Sequence, residues 1–179
     1  MTYPEWVYYP HRNRPPEWVS RFLDIVRGAR GRIDSVEIDG LTSDGALAAL
    51  ALGLREAGYT VEVSKSKVDR IRRPVLFGDN GKERVAYEVD AIHDELGIVV
   101  EIEAGRGARG NAVYRDLIRA SLLVDVRYLA LGVMREYRHQ SGERQVKVQS
   151  FHDAKGILDA VYASGRLQLP FEGVLLFGY

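Results

Sequence analysis

The sequence predicts an α/β protein with a mixed central sheet flanked by helices. Three observations carry that expectation. Apolar residues recur at helical spacing over residues 17–28, 42–58 and 111–124. Alternating, strand-like segments follow one another between the second and third of these. One segment, "RYLALGVM", is apolar on both faces, as a central strand should be. From Thr42 to Met134 the order reads helix, strand, strand, strand, helix, strand, which implies a sheet sandwiched between helices.

Taken in chain order, "MTYPEWVYYPHRNRPPEW" is rich in proline and aromatics, and residues 1–16 read as an extended arm on a single domain covering 1–179. Trp6, Tyr8 and Tyr9 would pin that arm to the domain. "PPEWVSRFLDIVRGARG" opens on proline, spaces Trp18, Phe22, Ile25 and Val26 helically, and closes on glycine. "RIDSVEID" reads as a short strand. "TSDGALAALALGLREAGY" carries capping residues Thr42, Ser43 and Asp44 and ends at Gly58. Its stretch from Ala46 to Leu52 is apolar all round, so the helix is expected to be buried. "YTVEVSKS" is a strand, and Lys67 to Lys82 form a basic connection ending in the turn "GDNGK". "ERVAYEVDAIHDE" and "GIVVEIEAG" are strands joined by a tight turn. A Gly/Arg loop follows, and Asn111 caps the helix "AVYRDLIRASLLV". After "RYLALGVM" come a polar turn at "RHQSGE", a strand "QVKVQSF", a helix near Asp153 to Ala163, and a last strand "GVLLFGY".

Composition excludes several classes. The chain contains no cysteine, so disulfide frameworks and thiolate metal sites are ruled out. No apolar run approaches the roughly 20 residues that span a bilayer, and no signal-peptide core is visible near the start, so the cytoplasm is the expected location. The net charge of +0 argues against a non-specific nucleic-acid coat. The four histidines have no zinc-ligand spacing, and no G-x-S-x-G is present.

The charges are segregated, and that is informative. Glu83 to Glu103 holds seven acids and one arginine, while Lys65 to Arg73 holds five basic residues and one acid. Arg106, Arg109, Arg115 and Arg119 follow the acidic block. Within that block Glu101 and Glu103 share a strand face with Val99, and Asp90 sits on the preceding strand with Glu88 on its own face. Neighbouring antiparallel strands bring such residues together. Three converging carboxylates repel one another, and a divalent cation relieves the repulsion. An outward-facing, solvated sheet face is the plain alternative for any isolated E-x-E.

This pattern, Asp90 on one strand and "VVEIEAG" on the next within the helix–strand–strand–strand–helix–strand order, resembles the PD-(D/E)xK restriction-endonuclease-like nuclease superfamily over roughly the middle half of the chain. The resemblance implies a metal-dependent DNA endonuclease, a restriction-type or defence nuclease, that hydrolyses phosphodiesters with Mg2+ or Mn2+. Asp90 matches the motif's Asp and Glu101 its (D/E). Glu103 stands where the superfamily usually has Lys, and Val89 where it often has Pro. Some type II restriction enzymes of this kind carry Glu in the Lys position, where it serves as a ligand or base. The implied catalytic set is Asp90, Glu101 and Glu103, with Asp90, Glu101 and Glu88 on the metal. Arg106, Arg109, Asn111, Lys65 and Lys67 are the candidate DNA contacts. An acid from the first core helix is common in the superfamily, and Asp44 and Glu56 both remain open for that place. Duplex cutting by this class often uses two active sites, so a homodimer is expected. A non-catalytic DNA-binding or assembly module of the same fold is the alternative function. A carboxylate-pair glycosidase fits poorly, because it needs two acids across a cleft.

Overall fold

The computed structural model describes residues 2–63, 69–105 and 111–179. Its elements are β1 (Glu5–Tyr9), α1 (Glu17–Gly28), α2 (Arg30–Ile33), α3 (Ser43–Glu56), β2 (Thr60–Val61), β3 (Ile71–Phe77), β4 (Glu83–Val89), β5 (Ala91–His93), β6 (Ile98–Glu103), α4 (Ala112–Ser121), β7 (Tyr128–Val133), β8 (Tyr137–Ser141), β9 (Arg144–Val148), α5 (Ser150–Ser164) and β10 (Gly173–Gly178). Six strands make a mixed sheet in the order β1-β10-β7-β6-β5-β2. The contacts β6–β7 and β7–β10 are parallel, and the outer ones are antiparallel. Strands β3 and β4 form a separate ribbon, as do β8 and β9. The protein is therefore α/β, with a mixed central sheet flanked by helices. No helix among the described residues is long and apolar enough to cross a membrane.

The sheet divides the apolar core in two. Ile98, Val100 and Ile102 of β6 face a cluster built with α1, α2 and α3. Val99 of the same strand faces the other cluster, with Val113 and Leu117 of α4 and Leu158 of α5. Helix α1 presents Trp18, Val19, Phe22, Leu23 and Val26 to its side, an i, i+4, i+8 stripe that only a helix aligns. Helix α3 begins where the Thr42 side chain accepts the Gly45 amide at 3.1 Å, satisfying one of the otherwise orphaned N–H groups of its first turn. All six residues of β10 are buried, which explains why "GVLLFG" has no polar alternation.

Several local expectations are corrected. Residues 5–9 of the N-terminal arm are β1, the edge strand beside β10, with Tyr8 and Tyr9 buried and Trp6 left 42% exposed. The expected strand over "RIDSVEID" is the short helix α2 and a turn, because Asp34 and Ser35 bond to distant partners rather than to a neighbouring strand. Helix α3 is not apolar-buried all round: Ala46, Leu47, Leu50 and Ala51 are buried while Leu52 is 68% exposed. The basic connection contains β3, in which Pro74 is tolerated because this ribbon is not part of the central sheet. The polar turn at "RHQSGE" lies inside the β8–β9 hairpin.

One close approach is specific to the centre of the sheet. A Cβ at Gly132 on β7 would stand 2.5 Å from Phe177 Cζ and 2.9 Å from Ile102 Cδ1, on the two flanking strands. Gly132→Ala is therefore expected to cost about 1–3 kcal/mol through overpacking. A denaturant titration checks this, and an unchanged midpoint would contradict it.

Candidate active site

The chain changes sheets at Asp90. Residues up to Val89 pair with β3, and from Ala91 onward they pair with β6. The β5–β6 ladder stops at Ala91↔Val100, so the far end of β6 lacks a strand partner on that edge. The Asp90 carboxylate takes over, accepting the Ile102 amide at 2.7 Å. The Asp90 carbonyl accepts the Glu62 amide at 2.9 Å, tying the end of β2 to the same point. A break in the sheet is thus what opens the space beside Glu101 and Glu103.

That space is a cleft of about 190 Å³. Among the described residues, seven carboxylates line it: Asp44, Glu62, Glu88, Asp90, Glu101, Glu103 and Asp116. Three guanidiniums, those of Arg70, Arg115 and Arg119, line it too. A neighbouring pocket of about 560 Å³ shares Asp44, Glu62 and Asp90 and adds the apolar side of α3 at Leu47 and Ala51.

Burial first, and crowding by like charges second, raise three of these acids. Burial, offset in part by the Ile102 amide, pushes Asp90 up to about 6. Burial, then the charges of Asp90 and Asp116, hold Glu101 well above the usual carboxylate range, with Arg119 opposing. Glu103 is pushed up to about 7 by burial, by a hydrogen bond shared with Asp116 and by that residue's charge; Arg115 pulls the other way. Elevated carboxylates converging in a cleft mark a functional-site candidate.

Each cation has a defined place. Arg115 donates from Nε to Asp116 Oδ1 at 2.9 Å, and from Nη2 to Asp116 Oδ2 at 3.4 Å and to Glu103 Oε1. Arg70 Nη1 spans both Glu88 oxygens at 2.7 and 2.8 Å. Arg119 donates to the Glu88 carbonyl at 3.3 Å, and its guanidinium lies 5.2 Å from the centre of the Tyr87 ring.

The structure brings Asp90, Glu101, Glu103 and Glu88 together in one cleft. Of the two acids open on the first core helix, Asp44 lines the cleft and Glu56 does not. Asn111 occupies the N-cap position of α4, but in the left-handed region at φ 61° and without a side-chain capping bond. Lys65, Lys67, Arg106 and Arg109 lie outside the described residues. His93 packs edge-on against Tyr59 and lines a different pocket. Two cleft acids escaped the sequence reading, Glu62 and Asp116. The second left a signal: Asp116 falls inside the apolar stripe Val113, Leu117, Ala120, where a charge has no packing reason to be.

The donor set suits a hard divalent cation, because carboxylate oxygens converge in the cleft, with Asp90 and Glu101 raised chiefly by burial. Among the described residues, no three His, Cys, Asp or Glu side chains stand in ready ligating positions. Mg2+ needs only one or two carboxylates, with waters and phosphate oxygens completing its shell. Comparison of the chain with protein-family models, with curated proteins and with solved structures returns no match.

Proposed function

We propose that this protein is a metal-dependent deoxyribonuclease that hydrolyses phosphodiester bonds, built on a restriction-endonuclease-like core. The observation that carries the reading is the convergence of Asp90, Glu101 and Glu103 at the sheet break, each carboxyl raised above its ordinary range. The order α3, β2, β5, β6, α4, β7, with the β3–β4 ribbon inserted before β5, is compatible with that core.

In this reading Asp90 and Glu101 would hold Mg2+ or Mn2+, and Glu88 would reach the same ion only by loosening its hold on Arg70. The ion, when bound, would supply Lewis acidity toward a phosphoryl oxygen and toward water. Glu103 takes one proton from the attacking water, and its elevation to about 7 suits a base working near neutrality. The leaving 3′-oxygen receives its proton from solvent. A homodimer, placing two such clefts on a duplex, belongs to the same proposal.

Supercoiled plasmid incubated with Mg2+ or Mn2+ tests the reading. Relaxed and linear products are expected, with none when EDTA is present. Retardation of DNA without cutting would instead favour the non-catalytic module, and neither cutting nor retardation would reject both readings.

A further inference from the structure

We propose that Arg115 supplies, from α4, a cationic contact to a substrate phosphate beside Glu103. The proposal takes its substrate from the nuclease reading and assigns one further residue to it. A phosphodiester entering a cleft that shows seven carboxylates against three guanidiniums among the described residues needs a cation aimed at it. Glu103 cannot be that cation. Among the described residues, Arg115 is the arginine that touches Glu103 directly.

Its geometry is suited to the task. The Nε and Nη2 edge is engaged by Asp116 and Glu103, which fixes the plane of the guanidinium. The Nη1 group makes no hydrogen bond or ion pair with the described residues, and the side chain is 53% exposed. A held fork with a spare pair of N–H donors loses little entropy on meeting a phosphate oxygen. Arg70 is committed across both oxygens of Glu88, and Arg119 to the Glu88 carbonyl and the Tyr87 face. Arg115 is therefore better placed than either to meet substrate beside Glu103.

The deciding measurement is the salt dependence of affinity for a short labelled DNA duplex in Ca2+, read by fluorescence anisotropy. Arg115→Ala should lower the slope of log K against log salt by about one, as loss of one phosphate contact does. Arg115→Lys should keep the slope. In Mg2+, Arg115→Ala should reduce kcat about 10²-fold, and free guanidinium should restore part of it. Because Arg115→Ala strands Asp116, Arg115→Ala/Asp116→Asn is compared at matched melting temperature. An unchanged slope in that double variant overturns the assignment whatever happens to kcat, and leaves the nuclease reading standing if the wild type cuts. A wild type that binds without cutting, but loses one unit of slope in the variant, keeps the Arg115 contact and rejects the nuclease. A wild type that does not bind DNA overturns both.

Discussion

Glu101→Gln is expected to raise the melting temperature at neutral pH while lowering metal-dependent cleavage by about 10²–10³-fold, the scale for removing one preorganised charge from an active site. The two effects share one cause. Glu101 is held well above the usual carboxylate range by burial and by the charges of Asp90 and Asp116. Ionising it without a bound cation is therefore costly, and glutamine keeps the volume without the charge. The same charge is what would attract a divalent ion, so stability and function oppose each other here. Thermal scans without divalent ions and plasmid assays with Mg2+ measure the two sides. A lower melting temperature, or undiminished cleavage, contradicts the argument.

The pH dependence follows from the same cleft. Asp90 moves from an ordinary 3.8 to about 6 in the fold, chiefly through burial. The folded chain thus keeps a proton that the unfolded chain releases between about pH 4 and 6. Stability from this group is complete below pH 4 and is lost as pH rises through 6. The gap of about two units corresponds to about 3 kcal/mol, or about 6–12 °C in melting temperature for a chain of this size. Glu103, at about 7, carries the decline on toward neutrality. Asp90→Asn should flatten the first part of the curve, and a wild-type melting temperature that rises from pH 5 to 7 would contradict the account.

The parts of this fold that were legible in the sequence are those specified locally. Trp18, Phe22 and Val26 define α1 by spacing alone, and Thr42 marks the start of α3 through a bond three residues away. Strand β6 announces both its faces, with Ile98, Val100 and Ile102 toward one core, and Val99 toward the other on the face that carries Glu101 and Glu103 into the cleft. What stayed hidden depends on distant partners. Ile71–Phe77 carries arginines and Pro74, so it reads as a connection until β4 supplies its ladder. The break at Asp90 is equally invisible, since Val89 and Ala91 belong to one uninterrupted alternation and yet join different sheets. The site's central acids could be named because they crowd two neighbouring strands. Glu62 and Asp116 come from elsewhere in the chain, and only the fold delivers them.

Asp34 is the extreme case of a residue governed from afar, and Arg135→Ala should expose it. Asp34 is 1% exposed and accepts from Arg135 Nη1 at 3.0 Å, 101 positions away. The same guanidinium donates from Nε to Glu5 on β1 at 3.0 Å. The Arg135 amide reaches Ser35 Oγ at 2.9 Å and the Tyr179 carbonyl at 2.9 Å. One side chain and its own backbone therefore fasten β1, the turn after α2, the end of β7 and the C-terminal residue together. Removing one partner of a buried ion pair typically costs about 3–5 kcal/mol, because the remaining charge is left without compensation. Arg30 Nε still holds Asp34 at 3.2 Å, so the lower end is expected, about 3 kcal/mol or about 6–12 °C. Arg135→Ala/Asp34→Asn should recover part of that loss by discharging the stranded carboxylate, and a double-mutant cycle in urea isolates the coupling. If the two single losses simply add, the pair is not coupled, and the packing of Arg135 against the Tyr3 ring, 5.7 Å from its centre, becomes the better account of its burial.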